Sequence, residues 1–331
     1  MSKVDFDKVF AQFPSVKAGV IGDVMLDTYW WGHVERISPE APVPIVALDR
    51  KEHRIGGAGN VALNLASLGA QVAILSAMGK DDDGILLKGL FEQQDIRTEW
   101  LLQMSSRITT NKSRIISRNQ QMMRLDAETT RDLTAEEEQA LIERTEQYIV
   151  TEKPQVIIFE DYNKGVLTER VIASVIALCK KHGVFTAVDP KRKNFFSYKT
   201  VDIFKPNLKE VKEGLNLLID EVNLPTLKHI HEELQQLLQH RISFITLSEK
   251  GVFYQQEQDA AIIPSHLRNI ADVSGAGDTV IAVASLVYAA TQKIDLMAQV
   301  ANIAGGLVCE IVGTSAIDKA LLLKECKLLL Q

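Results

Sequence analysis

The chain has 331 residues, of which 46% are hydrophobic, and its formal net charge at pH 7 is −6. That length suits one large α/β domain with an appendage, and the apolar content is enough for a sizeable core. The acidic balance argues against a nucleic-acid partner, because such a partner needs a basic surface. Three cysteines without C-x-x-C spacing, no apolar signal region and no run of membrane-spanning length predict a cytoplasmic protein without a membrane partner.

The first predicted elements are a short amphipathic helix over 4–13 and a buried strand over 17–21. Asp23 follows this strand, and Asp27 lies four residues further on. Open α/β sheets bind ligands at the carboxyl ends of their strands, so these two acids are candidate substrate contacts. A turn that carries two solvated acids is the alternative.

Two segments with strand-like alternation, about 29–54 and 107–126, predict a small β-sheet that stands off the main domain as a lid. Three prolines interrupt the first segment, and prolines are confined to the edges of sheets. Apolar residues on an exposed sheet, here Trp30, Trp31 and Ile45, favour pairing with a second copy. We therefore expect a homodimer that forms through the lid.

A glycine-rich segment lies between the two lid segments. Its residues Gly57, Gly59 and Ala62 fit the G-x-G-x-x-A fingerprint of dinucleotide-binding enzymes. The charged residues just before it make a poor buried strand, which weakens that interpretation. The alternative is that the bare backbone of Gly56 and Gly57 lets a sugar approach closely, while Asn60 contacts the sugar hydroxyl groups.

From residue 134 onwards, predicted helices and strands alternate along the chain. Strands joined by helices of this length form a parallel sheet with helices on both faces, so the sequence predicts an α/β fold. The predicted helices cover 61–68, 134–150, 168–182, 207–218, 225–240, 279–291, 296–311 and 317–330, and the predicted strands cover 72–77, 156–159, 184–188, 201–204 and 242–247.

Polar residues follow three of these strands. Asp161 and Lys164 lie after the first, and Lys191 lies after the second. Asn207 and Glu210 follow the third and are three residues apart, so they face the same side of the first turn of a helix. Such oxygen ligands suit Mg²⁺, which keeps several of its waters. The alternative is a capping box, in which these two residues only terminate the helix.

The segment 272–279 (DVSGAGDT) precedes an apolar helix. The N–H groups of Gly275, Ala276 and Gly277 have no partners inside that helix and can point at an anion, with the helix dipole behind them. Asp278 then places a carboxylate at the mouth of an anion site, which is unusual unless it has to accept a proton. The alternative is that Asp278 only caps the helix, since Asp is a favoured capping residue.

This segment resembles the C-terminal signature D-T-x-G-A-G-D of the ribokinase-like (PfkB) sugar kinases, with Val273 in place of the usual Thr. The resemblance implies that Asp278 is the catalytic base and that the three Gly-Ala-Gly amides form an anion hole. It implies ATP and Mg²⁺ as cofactors. It also implies a single ribokinase-like domain over 1–331, with a three-layer α/β/α arrangement, a mostly parallel sheet and a small β-sheet lid.

Other motifs resemble the same family. Asn207 and Glu210 match its N-x-x-E motif, which implies a role in binding magnesium through water and the nucleotide phosphates. The turn with Ser248 and Gly251 resembles the nucleotide-side turn, and Asn302 lies on the helix that walls the adenine pocket. The residues that the resemblance places around the sugar are Asp23, Asp27, Gly56, Gly57, Asn60, Asp161, Lys164 and Lys191.

Four stretches resemble one subfamily of these kinases: 22–27, 36–44, 117–121 and 124–126. This subfamily phosphorylates D-glycero-D-manno-heptose 7-phosphate at C1, on the route to ADP-heptose for lipopolysaccharide. In many relatives the kinase is fused to an adenylyltransferase. Because no H-x-G-H motif occurs, we expect that activity on a separate chain. Arg192 departs from the subfamily pattern, which usually has Gly at this position.

Basic residues at even spacing line one face of the second lid segment: Lys112, Arg114, Arg118 and Arg124. Arg grips phosphate through two parallel hydrogen bonds, so we expect Arg114 or Arg118 to hold the 7-phosphate of the sugar. A solvated surface is the alternative.

Several functional alternatives stay open at this point. They are another PfkB-type kinase (ribokinase, phosphofructokinase-like or adenosine kinase-like), a dinucleotide-dependent oxidoreductase, and a sugar-binding protein without activity. Only a kinase among these binds ATP with Mg²⁺ and turns it over. The exact sugar, its anomeric configuration and the oligomeric state do not follow from the sequence.

Overall fold

The computed structural model describes residues 4–118, 120–218 and 221–330, and within these ranges the chain forms fourteen β-strands and ten α-helices. The strands are β1 (Lys17–Gly22), β2 (Val24–Ile37), β3 (Pro44–Gly57), β4 (Gln71–Leu75), β5 (Ala77–Gly79), β6 (Leu102–Met104), β7 (Thr110–Ser117), β8 (Gln120–Ala127), β9 (Val156–Glu160), β10 (Phe185–Asp189), β11 (Ile203–Phe204), β12 (Ile242–Thr246), β13 (Val252–Gln256) and β14 (Asp259–Ile263). The helices are α1 (Phe6–Gln12), α2 (Ala58–Ser67), α3 (Asp82–Gln93), α4 (Ala135–Glu152), α5 (Glu169–His182), α6 (Leu208–Leu215), α7 (Leu224–Leu238), α8 (Ala276–Thr291), α9 (Ile294–Val308) and α10 (Lys319–Leu329).

Eight strands form the central sheet, in the spatial order β14-β13-β12-β11-β10-β9-β1-β4. The six strands from β12 to β4 run parallel, and β13 and β14 add an antiparallel hairpin at one edge. Most residues of the parallel strands are buried and apolar, because helices cover both faces of the sheet. The structure therefore confirms the predicted mostly parallel α/β fold.

The helices form a layer on each face of the sheet. Side chains of α1, α2, α8, α9 and α10 share one apolar core with the sheet, and those of α4, α5, α6 and α7 share the other. Helix α8 is buried from Asp278 to Tyr288, since it lies between the sheet and its neighbouring helices. Within the described residues, no helix combines the length and the apolar character needed to cross a membrane.

A second sheet of four strands, in the order β3-β2-β7-β8, forms the lid. Strands β2 and β3 are antiparallel and β7 runs parallel to β2, while β8 is exposed along its whole length. The first lid segment begins at Val24 and ends at Gly57, so it reaches further into the main domain than the sequence predicts. Asp27 consequently lies on a lid strand at the point where that strand leaves the core.

The register of the central sheet brings three strand ends together. Glu160 at the end of β9 pairs with Gly22 of β1 on one side and with Asp189 of β10 on the other. Paired residues of neighbouring strands point to the same face. The carboxylates of Glu160 and Asp189 therefore lie on the same face, and Asp189 is close to Gly277 in the first turn of α8. Gly22 has to be glycine, because a Cβ there would lie 1.9 Å from the carbonyl oxygen of Glu160.

Candidate active site

The predicted base Asp278 lies in the first turn of α8 and is only 3% exposed. Its Oδ2 accepts a hydrogen bond of 2.8 Å from Nδ2 of Asn60, and its Oδ1 accepts one of 2.7 Å from the hydroxyl of Tyr162. Burial raises the pKa of Asp278 to about 6, although these two hydrogen bonds act in the opposite direction. A carboxylate with this pKa is ionised at pH 7 and takes up a proton more readily than an ordinary Asp.

The N-terminus of α8 requires glycine. Gly275 has φ of 78°, which is the left-handed region, and a Cβ there would lie 2.7 Å from Nδ2 of Asn60. Of the three predicted anion donors, the N–H of Ala276 donates to the carbonyl of Val273 at 3.3 Å. Within the described ranges the N–H groups of Gly275 and Gly277 have no protein acceptor, so these two remain available to an anion.

Two lysines lie beside this helix terminus. Lys205, which is 2% exposed, pairs with Asp189 at 2.7 Å, and Lys191 pairs with both Asp189 and Glu210 at 2.9 Å. Burial alone raises the pKa of Asp189, but the two lysines hold it below its ordinary value. Burial alone lowers the pKa of Lys191, but Asp189 and Glu210 raise it above its ordinary value. The ammonium group of Lys205 lies close to Gly277, since a Cβ built on that glycine would be 3.9 Å from it.

Lys205 and Tyr162 are site residues that the sequence pattern does not indicate. Lys205 directly follows β11 and lies two residues before Asn207. Tyr162 lies between Asp161 and Lys164. Their side chains reach the site only because α8, which lies far along the chain, packs over these strand ends.

Glu160 is a third acid at the centre of the site. It is 1% exposed, and its Oε2 has no hydrogen-bond partner within the described part of the chain. Burial, followed by the charges of Asp189 and Asp278, raises the pKa of Glu160 well above its ordinary value. The surroundings of Glu160 therefore favour its protonated form.

Asn207 and Glu210 form the capping box that was the alternative to a metal site. The N–H of Glu210 donates to Oδ1 of Asn207, and the N–H of Asn207 donates to Oε2 of Glu210, both at 2.8 Å. The other carboxylate oxygen of Glu210 accepts from Lys191. Because these oxygens already accept hydrogen bonds, the pair is better suited to hold Mg²⁺ through water molecules than to bind the ion directly.

Asp23 and Asp161 were both predicted to contact the sugar, and the structure engages both with the loop after β9. The carboxylate of Asp23 accepts from the N–H groups of Tyr162, Lys164 and Val166 at 2.9, 3.1 and 3.1 Å. Burial raises the pKa of Asp23 even though these amides oppose it. The two acids position the loop rather than present free oxygens.

Both carboxylate oxygens of Asp161 also accept hydrogen bonds, as those of Asp23 do. Its Oδ1 accepts from the N–H of Asn163 at 2.8 Å, and its Oδ2 accepts from Asn194 at 3.2 Å and from the hydroxyl of Tyr198 at 2.8 Å. Burial raises the pKa of Asp161 to about 6. Lys164, the third predicted residue of this loop, forms an ion pair of 2.7 Å with Glu128 at the base of the lid.

Asp27 forms the lid side of the site. Its Oδ1 accepts a hydrogen bond of 2.7 Å from Arg114, and a Cβ on Gly56 would lie only 2.6 Å from its Oδ2. The guanidinium groups of Arg54 and Arg114 lie over the ring of Tyr29, at 4.7 and 5.1 Å from its centroid. Two arginines and one acid therefore meet where the lid joins the domain, and sequence reasoning missed Arg54.

Three of the four basic residues of the second lid segment are neighbours, since Arg114 lies directly opposite Arg124 on the adjacent strand and donates a hydrogen bond to the carbonyl of Lys112. Lys112 and Arg124 both pair with Asp126, at 3.1 and 2.9 Å. Arg118 lies in the turn between β7 and β8 with φ of 49°, and the neighbouring Asn119 of its subfamily stretch lies outside the described residues. Of the four, only Arg114 forms an ion pair with another predicted site residue within the described chain.

The glycines that fit the dinucleotide fingerprint end a lid strand and begin α2. Gly57 has φ of 60°, and a Cβ there would lie 2.4 Å from the carbonyl oxygen of Asp23. A dinucleotide-binding turn follows a parallel strand of the core sheet, whereas β3 pairs antiparallel with β2. The oxidoreductase alternative is therefore wrong, and these glycines serve close packing of the lid against the core.

The predicted nucleotide-side residues lie beyond the end of β12. Ser248 and Gly251 both have positive φ, 54° and 92°, and a Cβ on Gly251 would lie 2.0 Å from the carbonyl of Ile263. Asn302 of α9 donates a hydrogen bond of 2.8 Å to the carbonyl of Pro264. These residues shape the segment that leads from β14 to the N-terminus of α8.

The site combines the buried carboxylate of Asp278, the N–H groups of Gly275 and Gly277, and two flanking lysines, next to a lid sheet. This arrangement is typical of a phosphotransferase for small molecules. The chain matches the pfkB family carbohydrate kinase over residues 17–320 and belongs to this family. It is accordingly a sugar kinase that transfers phosphate to an alcohol group, and kinases of this family use ATP with Mg²⁺.

Curated relatives include the bifunctional protein HldE of Syntrophotalea carbinolica, which is 37% identical over 322 residues. The match covers 96% of this chain and 64% of that protein. HldE of Geobacter sulfurreducens is 36% identical over 321 residues, with 97% and 65% covered. The chain therefore spans slightly less than two thirds of the length of these relatives.

Solved structures confirm the ribokinase-like fold. Phosphofructokinase-2 from Escherichia coli in complex with potassium superimposes with a TM-score of 0.77 at 16% identity, covering 93% of this chain and 97% of that one. Ribokinase from Arabidopsis thaliana, complexed with ribose and ATP, gives a TM-score of 0.72 at 14% identity, with 93% and 99% covered. At this identity the likeness concerns the fold alone.

Proposed function

We propose that the protein transfers the γ-phosphoryl group of ATP to the C1 hydroxyl of D-glycero-D-manno-heptose 7-phosphate. The main support for kinase chemistry is the buried carboxylate of Asp278 at the N-terminus of α8. Two further points support the choice of sugar. They are the subfamily stretches in the sequence and the similarity to HldE across nearly the whole chain.

In the proposed reaction, Asp278 accepts the proton of the C1 hydroxyl as the sugar oxygen bonds to the γ-phosphorus. The bond to the β–γ bridging oxygen breaks, and ADP leaves. The N–H groups of Gly275 and Gly277 and the ammonium of Lys205 neutralise the charge on the phosphoryl oxygens. Positioning and electrostatic stabilisation account for most of the rate enhancement in phosphoryl transfer.

Asn60 keeps the base oriented, because its side chain donates to Oδ2 of Asp278 and its carbonyl accepts from Asn64 at 2.8 Å. Asp27 and the backbone of Gly56 and Gly57 are proposed to contact sugar hydroxyls. The remaining predicted sugar contacts, Asp23 and Asp161, are assigned the different role of holding the loop that carries Tyr162.

The 7-phosphate of the sugar, called the distal phosphate below, is assigned to Arg114 and Arg118 of the lid. Arg114 is the stronger candidate, since it lies beside Asp27 at the junction of lid and core. Burial alone lowers the pKa of Arg114, but Asp27 raises it above its ordinary value. A second candidate is Arg118 at the turn of the lid hairpin, followed by Lys164 and Lys191.

Mg²⁺ supplies charge neutralisation on the ATP phosphates when it is bound. Glu210 and Asn207 are the residues proposed to hold it through water molecules, because their oxygens already cap α6. Ser248, Gly251 and Asn302 are assigned to the nucleotide side of the site.

We further propose a cytoplasmic homodimer that forms through the lid. The exposed apolar side chains of the lid strands support this assignment: Ile37, Leu48, Met122, Met123 and Leu125. The proposed product is a precursor of ADP-heptose for lipopolysaccharide.

The direct test is an acceptor screen with ATP and Mg²⁺, in which ADP release is measured and the phosphorylated position is assigned by ³¹P NMR. We expect kcat/KM for heptose 7-phosphate to exceed that for fructose 6-phosphate, ribose or adenosine by about a hundredfold. Equal turnover of ribose or adenosine would overturn the heptose assignment and leave a different PfkB-type kinase. Sugar binding without any ATP turnover would identify a binding protein instead.

A further inference from the structure

The catalytic carboxylate has no unpaired oxygen in this structure. Asn60 donates to Oδ2 of Asp278 and Tyr162 donates to Oδ1, while only 3% of the Asp278 surface is exposed. A general base must form a hydrogen bond with the hydroxyl group whose proton it removes. The acceptor hydroxyl therefore has to take the place of one of these two partners.

Asn60 is fixed in place. It is fully buried in the first turn of α2, and its carbonyl and its side-chain oxygen both accept hydrogen bonds from Asn64, at 2.8 and 3.3 Å. Asn64 is held in turn, because its own side-chain oxygen accepts from Thr279 and from the N–H of Ile317. Moving Asn60 would disrupt this buried network.

Tyr162 has more freedom. It lies on the loop after β9, and the residue is half-buried although its hydroxyl reaches a fully buried carboxylate. Its main-chain N–H is held by Asp23, so the ring can turn about its side-chain bonds while the backbone stays in place. The ring lies 5.6 Å from the ammonium of Lys191, which is part of the same site. Of the two partners of Asp278, Tyr162 is the one that can leave.

We propose that Tyr162 is a movable cap on the catalytic base. Its hydroxyl occupies Oδ1 of Asp278 in the free enzyme, and the acceptor hydroxyl of the sugar replaces it. One O–H donor is exchanged for another, so the ionised carboxylate keeps two hydrogen bonds throughout. This inference rests on the proposed kinase function and adds a residue that controls access to the base.

The cap has a consequence for bound ATP. Without it, a water molecule could take the acceptor position and give its proton to Asp278. The water oxygen would then bond to the γ-phosphorus, the bond to the β–γ bridging oxygen would break, and ADP and inorganic phosphate would leave. Tyr162 therefore suppresses ATP hydrolysis until a sugar displaces it.

The test compares Tyr162→Phe with a matched control, Tyr198→Phe. Both substitutions remove a hydroxyl that donates to a buried carboxylate, at 2.7 Å to Asp278 and at 2.8 Å to Asp161. Both phenols contact the same loop region, but only that of Tyr162 reaches the base. Tyr162→Leu is a second variant without the hydroxyl, and the melting temperature of each variant checks folding.

The first measurement is ADP release with ATP and Mg²⁺ alone. A hydrogen bond to a charged group is typically worth enough to change an equilibrium by about tenfold or more. We expect sugar-independent ATP hydrolysis to rise by about tenfold in Tyr162→Phe and to stay at the wild-type rate in Tyr198→Phe.

The second measurement is the pH dependence with sugar present. The profile of kcat/KM reports the free enzyme, and that of kcat reports the substrate complex. Removing the phenol removes a hydrogen bond that stabilises ionised Asp278. We therefore expect the acid limb of kcat/KM in Tyr162→Phe to move to higher pH by about one unit, while the acid limb of kcat stays in place.

Two results would overturn the proposal. In one, ATP hydrolysis by Tyr162→Phe and Tyr162→Leu stays at the wild-type rate. In the other, the acid limbs of kcat and kcat/KM move together, which means that the phenol stays on the base during catalysis. Neither result touches the proposed function, which is tested separately by whether the wild-type protein phosphorylates the sugar.

Discussion

Asp23 accepts a hydrogen bond of 2.9 Å from the main-chain N–H of Tyr162, and this contact ties the end of β1 to the loop that covers Asp278, the proposed base. The hydroxyl of the same Tyr162 donates to Asp278 at the start of α8. One loop residue thus links a core strand to the proposed catalytic base. Because the link depends on Asp23, we propose that this acid affects catalysis by positioning the loop.

The role of Asp23 can be separated from sugar binding by substitution. Asp23→Ala leaves three loop N–H groups without their acceptor, and each buried unsatisfied group costs roughly 1–3 kcal/mol. Because the loop relaxes in part, we expect a loss of about 3 kcal/mol in the free energy of unfolding. We also expect a lower kcat with an unchanged KM for ATP.

Asp23→Asn is the milder control, since it keeps one acceptor oxygen and is expected to lose less stability. Urea unfolding and steady-state kinetics are the measurements. If Asp23→Ala keeps wild-type stability and only raises KM for the sugar, Asp23 is a sugar ligand and the positioning role is wrong.

The expected pH dependence of the wild-type enzyme follows from the burial of Asp278, the proposed base. The pKa of Asp278 is raised to about 6, and the carboxylate has to be ionised to accept a proton. We therefore expect kcat/KM to rise with pH and to level off above a midpoint near pH 6. The measurement is a kcat/KM profile between pH 4.5 and pH 8.5, over roughly the range in which such groups titrate. A profile that is flat down to pH 4.5 would contradict the assignment of Asp278.

The distal phosphate can be located with a pair of lid variants. Arg114 lies beside Asp27 in the site, whereas Arg124 pairs with Asp126 on the exposed outer strand. Losing a hydrogen bond to a charged group changes affinity by about tenfold or more. We expect Arg114→Ala to raise KM for the phosphorylated sugar by that factor, with KM for ATP unchanged.

Arg124→Ala is the matched control and should keep both KM values. Arg118→Ala tests the second candidate at the turn of the lid. If Arg114→Ala and Arg118→Ala both retain the wild-type KM for the phosphorylated sugar, the lid assignment fails and Lys164 or Lys191 takes its place.

Two glutamates on α6, Glu210 and Glu213, allow a controlled test of the proposed magnesium site. Glu210 pairs with Lys191 in the site, and Glu213 pairs with Lys209 on the surface of the same α6. Loss of a residue that orients metal-bound water typically weakens metal binding by about tenfold or more. We expect Glu210→Gln to raise by this factor the Mg²⁺ concentration that half-saturates ATP binding, measured by calorimetry. An unchanged midpoint in Glu210→Gln, equal to that of Glu213→Gln, would remove Glu210 from the metal site.

Much of the fold was predictable because its strands are short apolar runs separated by helices. The five core strands from β9 to β12 and β1 were predicted within one or two residues of their bounds, and the lid followed from alternating segments with prolines. Helix α3 was missed because only Gly84, Leu87 and Phe91 are buried in it, which gives a weak periodicity. The hairpin of β13 and β14 was also missed.

The part of the candidate site that lies within one short segment of the sequence was predictable. Segment 272–279 predicted bare backbone and a carboxylate at the start of a helix, and α8 begins at Ala276 with Asp278 in its first turn. Contacts between distant segments were not predictable, because a sequence does not show which polar groups meet. The hydroxyl of Tyr162 donates to Asp278, which lies 116 residues away in the sequence. The carboxylate of Asp23 accepts hydrogen bonds from the N–H groups of the loop.

The central claim is that Asp278 is the base, and Asp278→Asn tests it most directly. The variant keeps the shape of the side chain but cannot take the proton, so we expect kcat to fall by about a hundred- to ten-thousand-fold. ATP affinity should survive, because the anion donors Gly275 and Gly277 are backbone groups. The ionised base has a raised pKa and therefore destabilises the fold above about pH 6, so at pH 8 the variant should melt no lower than the wild type. A kcat within a few-fold of wild type, with melting temperature and ATP affinity intact, would show that Asp278 only caps α8.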